Sequence, residues 1–448
     1  MTTAILRGTN VSEPRRKSDR YPRYTPTGVL WLGEMPAHWK NKRLRFVVTF
    51  PSKAEVRGLR PETPVSFVPM ESVGEFGGLT LDQTRPLEDV INGYTYFRNG
   101  DVLVAKITPC FENGKGAIAE NLENRIGFGT TELHVLRAGK EILPRFLFYL
   151  TQGEHFRKLG TAEMYGAGGQ KRVPESFLKD IRHPLPPLDE QREIARFLDR
   201  EIAKLDGLIA KKQQLVTQLA IKREAKIAAV FTTQADDTVR LPIKRLLTFT
   251  TSGSRGWAEF YSDEGDLFIQ SGNLNRRLGL DLSVVQRIKP PEGAEAQRTM
   301  IRRGDILVCV TGAYTGNVAV VDFDPPRAFI NQHVALLRLR QRIAAPKFVA
   351  YFLASSIGQG HFKACQYGGT KQGLGFEDIH SIAIPLLPLD KQLQIVRQLD
   401  SALRAIQEMT VITEAGVAKL REFRSSLVSV AVTGQVDVRN YRSEATCQ

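Results

Sequence analysis

Cysteine is scarce in this chain: four in 448 residues, Cys110, Cys309, Cys365 and Cys447, and no two form a Cys-x-x-Cys pair. That spacing excludes the usual zinc knuckle and predicts no disulfide frame, so free thiols in a reducing compartment are expected. The seven histidines show no His-x-x-x-His spacing, and no metal site is expected from them. Long apolar runs are missing too. Nothing approaches the roughly 18 residues that a membrane helix needs, and the first 20 residues lack an apolar stretch of signal-peptide length, so a cytoplasmic protein with no membrane partner is expected. Acid is in short supply: 48 Asp and Glu against 62 Lys and Arg, for a net charge of +14. The excess is uneven, with 13 basic and 4 acidic side chains in residues 1–60. Basic surface attracts polyanions, of which nucleic acid is the commonest. A basic, disordered tail over residues 1–20 is the other reading of the same charges.

Signatures of chemistry are also missing. Asp324-Pro325-Pro326-Arg327 has the outline of an adenine methyltransferase loop, but Arg327 stands where an aromatic must stack the flipped base. Glu224-Ala225-Lys226 has a nuclease-like spacing, yet it lies in a helical pattern where side chains two apart diverge. Pro109 occupies the place of the first glycine that a phosphate-binding loop around Gly114-Lys115 requires. No catalytic, cofactor-binding or metal-binding residue is assigned.

What is present is an internal repeat of about 200 residues. GDVLVAKITPCFENGKGAIAE (100–120) matches GDILVCVTGAYTGNVAVV (304–321): a Gly-Asp turn, an apolar strand, a polar glycine-bearing loop and a second strand. RFLFYLTQGEHFRKLG (145–160) parallels KFVAYFLASSIGQGHFKAC (347–365), and both read as amphipathic helices. Glycine loops follow, GAGGQKRV (166–173) and GGTKQGL (368–374), then PLPPLDEQREIARFLD (184–199) and IPLLPLDKQLQIVRQLD (384–400). Leu188-Asp189-x-Gln191 recurs as Leu389-Asp390-x-Gln392 at an offset of 201, as do Asp199 with Asp400 and Gln234 with Gln435.

Each proline-rich stop opens a long helical pattern, with Asp189 or Asp390 placed to cap the first turn. One apolar stripe runs through Ile194, Leu198, Ile202, Leu205, Ile209, Val216 and Leu219. The other runs through Ile395, Leu399, Leu403, Ile406, Met409, Val417, Leu420, Leu427 and Val430. Each helix extends on the order of 60 Å at 1.5 Å per residue. Two such helices with matching stripes can bury each other as an antiparallel pair. Trp31 and Trp39 are read as core anchors beside Leu32 and Pro36.

PLPPLDEQREIARFLD with its long charged helix resembles the conserved region of type I restriction–modification specificity subunits. So do TGVLWLGEMPAHWKNKRLRFV (27–47) and the two Gly-Asp segments. The resemblance implies an α+β fold: two similar mixed α/β target-recognition domains, joined and separated by two long antiparallel coiled-coil helices. The expected layout is a tail (1–20), domain 1 (21–185), helix 1 (186–234), domain 2 (235–385), helix 2 (386–434) and a C-terminal tail (435–448). Each domain is expected to read one half of a bipartite, asymmetric site in double-stranded DNA, with the spacing set by helix length. The implied partners are two methyltransferase subunits, which carry S-adenosylmethionine, and restriction subunits; this chain itself is expected to be non-catalytic and to hold no cofactor. Lys391 stands where the first stop has Glu190, so the two ends of the helical pair are expected to bind partners unequally.

Candidate readers lie on the matching loops: Lys106, Thr108, Asn113, Lys115, Gln170, Lys171 and Arg172 in the first domain, and Thr311, Tyr314, Thr315, Asn317, Thr370, Lys371 and Gln372 in the second. The competing readings are a non-catalytic protein-interaction scaffold with two adaptor domains, which shows no DNA sequence preference, and a self-contained DNA enzyme, which turns DNA over unaided.

Overall fold

The apolar run after each Gly-Asp turn forms a strand covered on both faces, and this places it at the centre of its half of the chain. The computed structural model describes residues 20–167, 169–232, 238–275, 277–366, 373–439 and 441. It divides into two compact units, Met1–Lys211 with Gly416–Gln448, and Lys212–Ala415.

In unit 1 the main strands are β1 (Val48–Thr49), β2 (Pro64–Val68), β3 (Thr84–Pro86), β4 (Thr95–Arg98), β5 (Val102–Ala105), β6 (Gly116–Ile118), β7 (Ile126–Gly129) and β8 (Leu133–Ala138). One sheet has the order β3-β2-β7-β4 and the other β1-β8-β5-β6. Only β2 and β7 run parallel in these two sheets, with Phe67 opposite Phe128. Helices α1 (Pro144–Gln152) and α2 (Glu154–Ala162) follow, then a short helix at Glu175–Asp180, and then the first long helix, α3 (Leu188–Thr232). Side chains alternate along β5. Val102 and Val104 join the core built by α1 and α3, while Leu103 and Ala105 join the core between the sheets. The continuous apolar run therefore reflects two buried faces.

Unit 2 repeats one sheet and three strands of the other, with β9 (Leu247–Ser252), β10 (Tyr261–Ser262), β11 (Asp266–Ile269), β12 (Gln286–Ile288), β13 (Ile306–Cys309), β14 (Val318–Val320), β15 (Ala328–Ile330) and β16 (Val334–Leu339); its edge strand β10 lies beside β12 rather than beside β15. Its sheets are β10-β12-β11-β15 and β9-β16-β13-β14. Again one pair is parallel, β11 with β15, and it sets Phe268 opposite Phe329. Helices α4 (Pro346–Ala354) and α5 (Ser356–Cys365) precede the second long helix, α6 (Leu389–Val432). Ile306 and Val308 face the helices; Leu307 and Cys309 face the other sheet. The burial that encloses Cys309 pushes its thiol up to about 11, so it stays protonated.

The two segments expected to be single amphipathic helices are each broken. Gly153 and Ser355 adopt extended backbone between α1 and α2 and between α4 and α5. Ser355 caps the second helix by accepting from the Gly358 amide, and the Glu154 amide donates to Ser429 Oγ on α6. The first piece of each pair is wrapped in core: Phe146–Gln152 and Phe348–Leu353 are buried throughout.

In unit 1 the first turns of α3 (Ile194, Leu198, Ile202) share a core with the last turns of α6 (Val428, Ala431, Val432). In unit 2 the last turns of α3 (Leu219, Ile227, Phe231) share a core with the first turns of α6 (Ile395, Leu399, Leu403, Ile406). Each long helix therefore contributes its two ends to different cores, one in each unit. The stripe deviates at Met409, which is 51% exposed, while Thr410 and Thr413 are buried instead. These threonines donate to the carbonyls of Ile406 and Met409, which satisfies their hydroxyls inside the helix.

Helices α3 and α6 begin one residue earlier than the expected caps. Asp189 and Asp390 lie inside the first turn, where carboxylates favour the positive end of the helix dipole. The anchoring residue of the repeated motif is its glutamine. Gln191 accepts from the Leu143 amide (2.8 Å) and donates to the carbonyls of Glu141 (2.8 Å) and Pro186 (2.9 Å). Gln392 does the same with Ala345 (2.9 Å), Ile343 (2.9 Å) and Leu387 (2.7 Å). Both are buried and tie the start of a long helix to the loop that leads into α1 or α4. Gln191→Ala leaves the Leu143 amide and the Glu141 and Pro186 carbonyls without this partner, of which only the last bond is fully buried, and a loss of about 1–3 kcal/mol is expected in urea unfolding. A loss below about 0.5 kcal/mol contradicts this role.

Candidate nucleic-acid interface

The loop after β5 and the glycine loop after α2 lie side by side, because their backbones pair. Thr108 N donates to Lys171 O at 2.9 Å and Val173 N to Lys106 O at 2.8 Å. This brings Lys106, Thr108, Gln170, Lys171 and Arg172 onto one edge of unit 1. Gln170 and Lys171 are exposed; Lys106, Thr108 and Arg172 are half-buried. A cavity of about 440 Å³ opens beside them, lined in part by Phe50, Lys53, Tyr94, Lys106, Tyr165 and Arg172. Tyr165 is 64% exposed. Cations interleaved with aromatic rings suit a polyanion that also offers flat bases.

Asn113 and Lys115 are on the other side of the same loop. Asn113 Nδ2 donates to Glu75 (3.1 Å) and Lys115 Nζ to the Met70 carbonyl (3.0 Å). They hold the loop that carries Phe76, whose ring lies under the guanidinium groups of Arg157 and Arg424. Arg424, on α6, also donates to Asp206 on α3 at 2.9 Å. These two candidates therefore brace the domain against its helices.

In unit 2 the equivalent pairing is Leu374 N to Val310 O, 2.8 Å. Thr311 Oγ1 bonds His333 Nδ1, whose Nε2 lies 3.3 Å from Gln332 Nε2. Tyr314 is half exposed, Thr315 donates to Gly312 O (2.6 Å), and Asn317 Nδ2 donates to Leu274 O (2.9 Å). Thr370, Lys371 and Gln372 lie outside the described residues.

Residues that the motif reading passed over set the geometry of both loops. Asp101 and Asp305 are each 1% exposed. Each closes its glycine turn, accepting from Arg98 N (2.9 Å) or Arg302 N (2.8 Å). Each also takes a two-pronged ion pair, from Arg137 at 2.6 and 2.8 Å or from Arg338 at 2.7 and 2.7 Å. The signal was legible: Arg137 and Arg338 are the fifth residues of the paired segments LHVLRA and VALLRL, at the offset of 201. Glu132 and His333 share that offset and stand beside the glycine loops.

At the start of α3, Trp39 is buried and donates to Glu190 Oε2 (2.8 Å), while His38 Nε2 lies 2.6 Å from Oε1. Glu190 therefore serves unit 1 internally. Arg240 stands 201 residues after Trp39, so Lys391 has no such indole to serve. Trp31 is half-buried between the rings of His155 and His183, at 5.5 and 5.6 Å. Burial, reinforced by the charge of His155, pushes His183 down to about 3. The unfolded ring titrates near pH 6.5, so in the window from about 6.5 down to about 3 the unfolded state holds the extra proton. Stability is full above that window and falls with falling pH by about 1.4 kcal/mol per pH unit. His134, lowered chiefly by burial, acts in the same direction. Melting temperature is expected to drop from pH 6.5 to 5, and His183→Phe to flatten that slope; an unchanged slope contradicts the assignment.

The methyltransferase-like loop is a surface turn, with Asp324 paired to Arg303 (3.0 Å) and Arg327 to Asp266 (3.5 Å). Glu224 and Lys226 are both exposed on α3. Among the described residues no helix is long and apolar enough to cross a membrane, and no cluster of three His, Cys, Asp or Glu could hold a metal ion.

Residues 47–218 and 268–415 match the family model described as type I restriction modification DNA specificity domain. The chain is 39% identical over 188 residues to the type I restriction enzyme EcoAI specificity subunit of Escherichia coli, which is 42% of this chain and 31% of that protein. It is 37% identical over 188 residues to the EcoEI specificity subunit of Escherichia coli, with the same coverage. The matched stretch thus spans 31% of the length of each of these relatives. A chain solved in work on complex assembly and conformational transition of the type I R-M system superposes with a TM-score of 0.70 at 19% identity, covering 89% of this chain and 98% of that one.

Proposed function

Because this chain belongs to the type I restriction modification DNA specificity family, we propose that it is the DNA-reading subunit of a type I restriction–modification complex. Each domain reads one half of a bipartite, asymmetric site. One observation carries this: the two units share the order of one four-stranded sheet, a three-stranded core of the other, the buried Asp–Arg pair and the buried glutamine, yet differ in the side chains on their paired loops. Unit 1 presents Lys106, Glu132 and Arg172 where unit 2 has Val310, His333 and Gly373 at the matching pairings. A common framework with unlike loops suits two unlike half-sites.

The chain is non-catalytic in this reading. Adenine methylation belongs to two methyltransferase subunits that bind S-adenosylmethionine, and restriction subunits join that core in the cytoplasm. The long helices offer docking surface: Met409, Val411 and Ile412 of α6 are 51%, 50% and 72% exposed, and Leu208 of α3 is 44% exposed. A selection from randomised duplexes, with the chain held in complex with its methyltransferase partner, is expected to enrich one split sequence. Binding should weaken steeply with salt. A scaffold for other proteins enriches nothing.

A further inference from the structure

Arg172 is gripped in a way that suits one base. Its Nε lies 3.2 and 3.0 Å from the two carboxylate oxygens of Glu132, and its Nη2 lies 2.9 Å from Oε1. That is a side-on pair, which occupies the inner edge of the guanidinium and leaves the outer Nη1–Nη2 edge. The remaining contact is a long one, Nη1 to the Gln170 carbonyl at 3.3 Å, on the exposed loop. Both partners are fixed from below. Arg172 N donates to Tyr165 O (2.9 Å), Tyr165 N donates to Arg172 O (3.2 Å), and Lys106 N donates to Glu132 O (2.9 Å). The Glu132 amide itself donates to Thr130 Oγ1 at 3.2 Å. Hydrogen bonding to Arg172 holds the Glu132 carboxyl below its ordinary range, so the pair stays charged.

An arginine free of a carboxylate serves a phosphate well. Here Glu132 cancels the charge and repels a phosphate placed beside it. A neutral base edge meets no such repulsion. In the major groove only guanine presents two acceptors, N7 and O6, that match the outer fork of an arginine. Lys106 and Lys171 on the same edge supply the phosphate attraction instead.

Among the described residues of unit 2 no such pair stands at this place. The bridge of Ile107 with Arg172 is matched there by Thr311 with Gly373, and His333 stands at the place of Glu132. We infer that Arg172, held by Glu132 as a positioning residue, reads a guanine in the half-site of the first domain, and that the other half-site carries no equivalent constraint from Gly373. This rests on the DNA-reading role proposed above.

The test is to co-express the chain with its methyltransferase partner and map modified adenines genome-wide. The unaltered chain is expected to require a guanine at one position of one half. Arg172→Ala is expected to relax that position alone, by the roughly 5- to 150-fold that one two-pronged base contact is worth. Glu132→Gln is expected to weaken the same preference in part and leave the other half unchanged. If Arg172→Ala does not accumulate, Arg172→Gln carries the test, with a shift towards adenine expected at that position. Guanine kept in Arg172→Ala or Arg172→Gln overturns the inference, and so does an even loss of modification across all sites in an accumulated variant. A split motif in the unaltered chain with guanine kept in the variants sinks this inference alone; no split motif at all sinks the DNA-reading role beneath it.

Discussion

Arg137→Ala is expected to remove about 3–5 kcal/mol of stability from unit 1, the cost of leaving a buried charge without its partner. Asp101 is 1% exposed and takes both of its side-chain bonds from Arg137. Without the guanidinium it keeps the Arg98 amide and little else. The pair sits where β5 begins, and β5 leads directly into the loop with Lys106 and Thr108, so the damage reaches the reading edge. Arg338→Ala is expected to do the same to unit 2 through Asp305. Hydrogen exchange resolved by peptide separates the two. Protection should fall in unit 1 for the first variant and in unit 2 for the second. Replacing both partners, Asp101→Leu with Arg137→Met, is expected to recover much of the loss, because no charge then stays buried. A change below about 1 kcal/mol in Arg137→Ala contradicts the account of the Gly-Asp turn.

Lys106→Ala combined with Lys171→Ala is expected to weaken DNA binding strongly without changing the sequence preferred. Each phosphate neutralised contributes about 0.9 to the slope of log affinity against log salt, so the slope should shrink by about 2. Affinity at low salt should fall by at least tenfold, since two phosphate contacts of about 0.7 kcal/mol or more are lost. The two variants at Arg172 make the contrast: they change preference at one position and leave the slope nearly untouched. Duplex binding measured from low to moderate salt checks this. An unchanged slope means that the paired loops of unit 1 do not lie on the DNA backbone.

Much of the fold was legible because it is written twice. The repeat of about 200 residues located the long helices, the Gly-Asp strands and the glycine loops, since each needs an apolar period or a turn residue that survives in both copies. The breaks at Gly153 and Ser355 were not legible. A buried helix is apolar all round, so its periodicity carries no sign of where it ends, and the Ser429 hydroxyl that meets the Glu154 amide is 275 residues away. Met409 looked like a stripe residue because threonine is not apolar by type; burial of Thr410 depends on its hydroxyl turning back to Ile406. On the reading edge, backbone pairing decides which loop residues meet. Motif matching grouped Asn113 and Lys115 with Lys106, whereas the turn sends them to Glu75 and Met70. Glu132 escaped notice because its partner Arg172 lies 40 residues on, across the fold.

The claim beneath all of this is that two domains of one design, carrying unlike loops, select two unlike stretches of duplex. Sequencing that detects methylated adenine, in cells expressing this chain with its methyltransferase subunit, tests it most directly. The account predicts one motif in two unequal parts separated by a constant run of unspecified bases. An unbroken motif, two identical halves, or no methylation dependent on this chain contradicts it.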